Sequence, residues 1–361
     1  MAMVELMDDT LREGMQTPGV MFSAQEKLTI SRMLVDVGVK TLEVSYPSAH
    51  KSEQNATKSI LSDLRGTRTS IFGLGRALPG DIDAIASTGA NIALHLPFNG
   101  SNDEALKACR YARDQYPDRK LAVALVDVGS YGPASLLTTV KGFDRAGVDC
   151  LELPDTKGVL YPSRYGNIVR KVKENVSALV IAHCHNDRGL AVANSLAGVE
   201  AGADIVDCTV LGLGERNGIA DIAVIADALE REGVRTGVSL RRLESVYRKV
   251  NKILLRKTGV PFLTANSPIY GEHLTTHTAG THASSSAQFD TKRFSVNVYC
   301  GTAMIRRILS SKGKDFPDYI LRETVAEVKD ESSTTGRTIS YQRVNQIAAE
   351  LAKTKATKPN A

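Results

Sequence analysis

Residues 146–158 read AGVDCLELPDTKG, and their order decides the fold. A helix-stopping Ala-Gly runs directly into a short apolar segment, which ends in polar residues. The order returns at 201–210, AGADIVDCTV, and Gly38 closes a helical face just before 41–46, TLEVSY. Glycine after the last apolar turn is a helix C-terminal signal. Short Val/Ile/Leu runs behind it are strands covered on both faces. Carried outward, the same reading predicts eight strands, at 4–7, 41–46, 69–74, 91–96, 120–126, 149–153, 179–183 and 205–210. Helical patterns fill the gaps. In the first, Ser23 and Glu26 stand at capping-box spacing, and Ile30, Met33, Leu34 and Val37 form one apolar face. Eight strand–helix units before about residue 230 predict an α/β fold of the TIM (β/α)8 barrel type.

After Glu230 the pattern changes. A basic helix is expected at 240–256, then a break at TGVPF and a polar Thr/Ser/His stretch. Two further helices are expected, around 301–311 and 341–354, before a tail expected to be disordered. The expected division is a catalytic barrel over 1–256 and a smaller, mostly helical C-terminal appendage over 257–361.

The totals exclude several classes. At 361 residues, 42% hydrophobic and 24% charged, the chain is ordinary for a globular protein with a large core. No apolar run reaches the roughly 18 residues of a membrane span, and the N-terminus lacks a signal-peptide pattern. Five scattered cysteines without a CxxC read as reduced thiols, so a cytoplasmic setting is expected. A net charge of +5 without a polybasic arm argues against nucleic acid.

A TIM barrel places its site where the strands end. Nearly every expected strand end delivers polar groups: DDTLREGMQ at 8–16, Tyr46, Arg76, His95, Asp127, PDTKG at 154–158, HCHND at 183–187 and GLGER at 212–216. His183 and His185 are two apart, so strand alternation turns both the same way and Cys184 the other. Two imidazoles on one face suit a divalent metal when a carboxylate completes the set, and Glu13 or Asp9 can supply it. A bland reading stands beside each residue. Arg12 and Glu13 could simply pair across their loop, His95 could be a strand-end core histidine, and Glu215 with Arg216 is best read as a structural ion pair.

DDTLREGMQTPGV, HCHNDRGLAVANSLAGVEAGADIVDCTVLGLGERNG and HTAGTH together resemble the homocitrate synthase and 2-isopropylmalate synthase family. Those are metal-dependent barrel acyltransferases related to 3-hydroxy-3-methylglutaryl-CoA lyase. The resemblance, over residues about 4 to 310, implies condensation of acetyl-CoA with a 2-oxo acid, then thioester hydrolysis. It implies Glu13, His183 and His185 as ligands of Mg²⁺, Mn²⁺ or Zn²⁺, and Arg12 beside the substrate ketone. It implies Thr156 on the substrate carboxylate and His282 as the base for the acetyl methyl group. Gln16, His95, Arg76 and Tyr131 are further substrate-binding candidates, and Asp127 a further catalytic one. A homodimer is implied, since the appended segment in this family often completes a partner's site. The alternative is a metal-dependent carbon–carbon lyase on a 3-hydroxyacyl-CoA or 2-hydroxy acid. That branch uses a cysteine in a glycine-rich loop, and here LGLGERNG has none.

Homocitrate synthases carry an arginine after strand five that grips 2-oxoglutarate. Here residues 124–137 read ALVDVGSYGPASLL, with Asp127, Ser130 and Tyr131 as the polar groups. An apolar, aromatic or otherwise unusual 2-oxo acid is therefore expected, or one anchored by another base such as Arg76. Gly218-Ile219 reads like the homocitrate branch, so the branch signals are mixed.

Overall fold

The computed structural model describes residues 3–96, 102–278 and 293–356. Eight parallel strands close into a barrel in chain order. They are β1 Glu5–Asp8, β2 Thr41–Ser45, β3 Ser70–Arg76, β4 Asn91–His95, β5 Leu121–Ala124, β6 Cys150–Asp155, β7 Leu179–Cys184 and β8 Ile205–Cys208. Closure is made by β1 on β8, with Met7 opposite Asp207. One helix follows each strand: α1 Ala24–Asp36, α2 Lys51–Asp63, α3 Pro79–Ala86, α4 Asn102–Gln115, α5 Pro133–Arg145, α6 Pro162–Lys173, α7 Ala191–Glu200 and α8 Ile222–Arg231. The expected TIM barrel, with all eight of its strands, is present.

Local chemistry sets these elements. In α1 the Ser23 side chain accepts from the Glu26 amide at 3.2 Å, and Glu26 accepts from the Ser23 amide at 2.9 Å. The helix buries Ile30 and Leu34 and stops at Gly38, whose φ is +108°. A Cβ there would lie 2.2 Å from the Gly237 carbonyl, so the turn into β2 admits only glycine. A helix α9, Leu240–Thr258, follows the eighth unit. Its buried Leu243, Val246, Tyr247, Val250, Ile253 and Leu254 recur at helical spacing. Tyr247 donates to Asp221 Oδ1 at 2.6 Å, and Lys257 Nζ lies 2.9 Å from Glu26.

The barrel interior is layered. Met7, Phe72, Leu74, Ala93, Ala122, Cys150, Ile181 and Ile205 fill it with apolar volume. The Met, Phe, Leu and Ile side chains among them contribute roughly 1.5–3 kcal/mol each when fully buried. Strand alternation then decides the next layer. Two residues beyond Met7, Cys150, Ile181 and Ile205 stand Asp9, Glu152, His183 and Asp207, and all four are buried. An apolar plug thus supports a charged layer at the C-terminal ends of the strands.

The chain divides into two compact units, Met1–Leu263 and Thr264–Ala361. The second has its own core of Val296, Met304, Ile305, Ile308, Leu321, Val328, Val344 and Ile347. Its helices are α10 Thr302–Ser310, α11 Asp318–Thr335 and α12 Tyr341–Ala356, beside a parallel pair of short strands, β9 Thr276–His277 and β10 Arg293–Phe294. The sequence reading finds α10 and α12 but not α11. That helix gives two of its buried positions to Thr324 and Ser332, which weakens its apolar stripe. The five cysteines are free and buried, and burial pushes the Cys109, Cys150 and Cys184 thiols up to about 12. No helix among the described residues is long and apolar enough to cross a membrane.

Candidate active site

The loop after β1 turns back across the barrel mouth and delivers Arg12. Its guanidinium lies 2.5 Å from both Asp9 Oδ2 and Glu13 Oε2, and also bonds Glu43 of β2. The pairing of Arg12 with Glu13 therefore forms, and three buried carboxylates hold one arginine in one orientation. Glu13 in turn accepts from the Glu215 amide at 2.8 Å through Oε1. The Gln16 amide, with its nitrogen toward Glu13, donates to Oε1 at 3.2 Å; the opposite orientation would face oxygen to oxygen.

The end of β7 supplies the imidazoles. His183 Nε2 and His185 Nε2 converge to 3.4 Å, with both rings buried. His183 Nδ1 lies 2.6 Å from Asp207 Oδ2 and 3.2 Å from Glu152 Oε1. A carboxylate on Nδ1 holds the proton there and turns Nε2 toward the open side. The strand itself is steadied by buried Tyr165, which accepts from the His183 amide at 3.2 Å and donates to the Leu153 carbonyl at 2.8 Å.

Crowded charge shifts these groups. Burial works against a charged His183, but Glu152 and Asp207 outweigh it and push its pKa up to about 9. Burial and then the neighbouring His183 drive His185 down to about 3. Burial raises Glu152 to about 7, and raises Asp9 and Glu43 as well. Glu13 goes the other way: burial opposes its charge, yet Arg12, His183 and His185 hold it below the usual carboxylate value.

The residues fit a divalent cation. Asp9, His183 and Asp207 each offer a ligand atom within 4.8 Å of the others. Asp9 Oδ1, Glu43 Oε2, Asp207 Oδ1 and His185 Nδ1 are buried without a hydrogen-bond partner among the described residues. Orphaned buried oxygens are costly unless something cationic or a proton meets them. Two imidazoles beside oxygen donors suit Mn²⁺ or Zn²⁺, and the carboxylate excess suits Mg²⁺.

The remaining candidates lie around this centre. His95 Nε2 is 3.3 Å from the Tyr46 hydroxyl, which donates to Asp81 Oδ2 at 3.3 Å. Arg76 grips both oxygens of Asp81 at 3.0 Å. Arg76 and His95 both line a cavity of about 620 Å³ against the first turns of α4. Asp127 and Thr156 meet directly, the Asp127 amide donating to Thr156 Oγ1 at 2.8 Å. Tyr131 lines a separate groove of about 350 Å³ with Pro133, Leu136 and Arg164. Arg216 bonds Asp187 at 2.8 and 3.0 Å and Glu215 at 3.0 Å, so its ion pairing extends beyond its chain neighbour. His282 lies outside the described residues.

Sequence reading gathers Arg12, Glu13, Gln16, His183 and His185, and the fold brings these five together. It misses Glu43, Glu152 and Asp207. A charge in the middle of an apolar strand, as in TLEVS, CLELPD and IVDC, is the signal that finds them.

Residues 3–250 match the family model described as HMGL-like. The 2-isopropylmalate synthase of Sulfolobus acidocaldarius is 31% identical across 98% of this chain and 97% of its own length. A probable 2-isopropylmalate synthase of Ignicoccus hospitalis is 35% identical across 77% of this chain and 72% of its own. Among solved structures, the HMG-CoA lyase of Bacillus subtilis superposes with a TM-score of 0.64 at 20% identity, covering 72% of this chain and 95% of that one.

Proposed function

The chain belongs to the HMGL-like family, and from that membership we propose an acyltransferase that condenses acetyl-CoA with a 2-oxo acid. The acetyl methyl group loses a proton and its carbon attacks the ketone carbon. Water then cleaves the thioester and releases CoA. The observation that carries this reading is the convergence of His183 and His185 Nε2 at 3.4 Å, in one charged layer with Arg12 and Glu13. The near full-length likeness to 2-isopropylmalate synthases supports the substrate class.

Glu13, His183 and His185 would hold the divalent metal, with Asp9 and Asp207 beside them. When bound, the ion supplies Lewis-acid polarisation of the keto acid. Arg12 stands ready for the oxygen on which charge develops. Its three carboxylate partners fix it before substrate arrives, so little reorganisation is needed at the moment of reaction. The Thr156 hydroxyl would donate to the substrate carboxylate, with Gln16 and His95 lining the approach. His282 would take the methyl proton, a step that needs a base of near-neutral pKa. A homodimer and a cytoplasmic setting belong to the same reading. The lyase alternative is weaker, because the rim loop at 211–218 carries no cysteine.

The test is a thiol-release assay with full-length protein, Mg²⁺ or Mn²⁺, acetyl-CoA and a panel of 2-oxo acids. CoA release with one or more acids is expected. Silence across the panel, in protein shown to hold metal, sinks the reading.

A further inference from the structure

The loop after β8 carries a backbone outlier. Arg216 holds left-handed backbone at φ 56°, a region that glycine and asparagine enter cheaply and a long side chain does not. Strain of that kind persists where the surroundings over-determine it, and it points to a task for the side chain. The ion pair with Glu215 is only one of the bonds that this guanidinium makes.

Four of its five N–H groups are used. Nε and Nη2 reach the two oxygens of Asp187 at 2.8 and 3.0 Å. Nη2 also donates to the Thr156 carbonyl at 2.5 Å, and Nη1 reaches Glu215 Oε2 at 3.0 Å. One planar group thus ties the loops after β6, β7 and β8. A lysine brings the same charge as a single point, without the fork.

The three loops lie close together. Gly158 has φ +60°, and a Cβ there would fall 2.7 Å from Asp187 Oδ2 and 2.9 Å from the His185 carbonyl. The Asn186 amide donates to the Gly218 carbonyl at 2.9 Å, and His185 pairs with Ile219 across a short antiparallel bridge. The Glu215 amide donates to Glu13 Oε1 at 2.8 Å. Each loop brings one part of the centre: Thr156 from the first, His185 from the second, and from the third the amide that holds Glu13.

Resting on the proposed ligand set and condensation, we infer that Arg216 is a positioning residue: its guanidinium locks the three loops into one piece, so that His185 and Thr156 keep their places relative to Glu13. The sign of its effect separates geometry from charge. Arg216 is a cation beside a cation site, so its removal raises metal affinity if charge alone matters. If it holds the ligands in place, its removal lowers metal affinity.

The experiment compares the full chain with Arg216→Gly and Arg216→Lys by calorimetric titration with Mn²⁺, thermal melting and steady-state kinetics. Glycine accepts the left-handed backbone, so relief of strain offsets part of the lost bonding, and its melting temperature should stay within about 4 °C of the parent. Mn²⁺ affinity should fall about tenfold in both variants, as for a residue that orients metal ligands from outside. In both, kcat/KM for the reactive 2-oxo acid should fall about ten- to a hundredfold. The Arg216 side chain is 37% exposed, so a small guanidinium can enter its place. Methylguanidinium should therefore restore part of both losses in Arg216→Gly and none in Arg216→Lys. Mn²⁺ affinity unchanged or raised in either variant overturns the inference. A melting temperature that collapses in both, without rescue, marks a purely structural residue and overturns it as well. A parent chain that releases no CoA with any 2-oxo acid overturns the condensation, while the Mn²⁺ titration and its rescue still decide the role of Arg216.

Discussion

Replacing Asp207 by asparagine keeps the volume of a buried side chain and removes its charge. Asp207 Oδ2 lies 2.6 Å from His183 Nδ1, and both residues are nearly fully buried. A charge-assisted hydrogen bond in such a place is about twice as strong as a neutral one, so the change removes about 1.5 kcal/mol. Glu152 Oε1, at 3.2 Å from the same nitrogen, takes over part of the role. The expected result is metal affinity weakened by about tenfold, and approaching a hundredfold in Asp207→Asn with Glu152→Gln. Calorimetric titration with Mn²⁺ measures it, with circular dichroism to show that the barrel remains folded. If the single and double variants bind Mn²⁺ within a factor of about two of the parent, His183 is not oriented through Nδ1 and the reasoning fails.

Lys27 is wholly buried, donating to Glu53 Oε2 at 2.7 Å and the Val44 carbonyl at 2.9 Å. Glu53→Gln should therefore cost about 3–5 kcal/mol in urea unfolding, while Lys27→Met with Glu53→Leu should recover most of it. Asp81 is held down to about 2: burial opposes its charge, but bonds from the Arg76 side chain and amide prevail. A lowered carboxylate stabilises above its ordinary value of 3.8 and loses that contribution as pH falls toward 2. The thermal-stability gap between parent and Asp81→Asn, at most about 2 kcal/mol because exposed Arg76 is screened by water, should close over that window; a gap unchanged at pH 2 refutes the pairing. Gly218 has φ +78°, and a Cβ there would fall 1.7 Å from the Gly212 carbonyl. Gly218→Ala should open the turn that brings the Glu215 amide to Glu13, lowering both the melting temperature and Mn²⁺ affinity. An unchanged melting temperature would contradict that geometry.

What the sequence makes legible is local. The Ala-Gly steps before β6 and β8, the Ser23–Glu26 box of α1 and the alternation that pairs His183 with His185 are all properties of a few neighbouring residues. Three-dimensional neighbours are another matter. Glu43, Glu152 and Asp207 lie on three strands far apart in the chain, and only barrel closure places two of them on one imidazole and the third on Arg12. Strand-end residues mark the loops, and a search confined to them passes over acids inside the strands. Lys27 escapes for the opposite reason. In a capping-box helix it looks like an ordinary solvated residue, and nothing local says that Glu53 will meet it in the core. In α11 the buried Thr324 and Ser332 hide an inward face behind polar letters.

The charged layer and the rim pair of Lys157 with Asp127, 2.6 Å apart, are built from different parts of the chain. Arg12, Glu13, His183 and Asp207 come from β7, β8 and the loop behind β1, while Asp127 and Lys157 stand on the loops after β5 and β6. Thr156 Oγ1 accepts from the Asp127 amide, a main-chain bond that survives replacement of the Asp127 side chain. The barrel therefore separates what is costly to change from what is cheap. A lineage can exchange rim residues while the reactive end stays intact, and duplicated copies of such a gene can part at the rim before they part in chemistry.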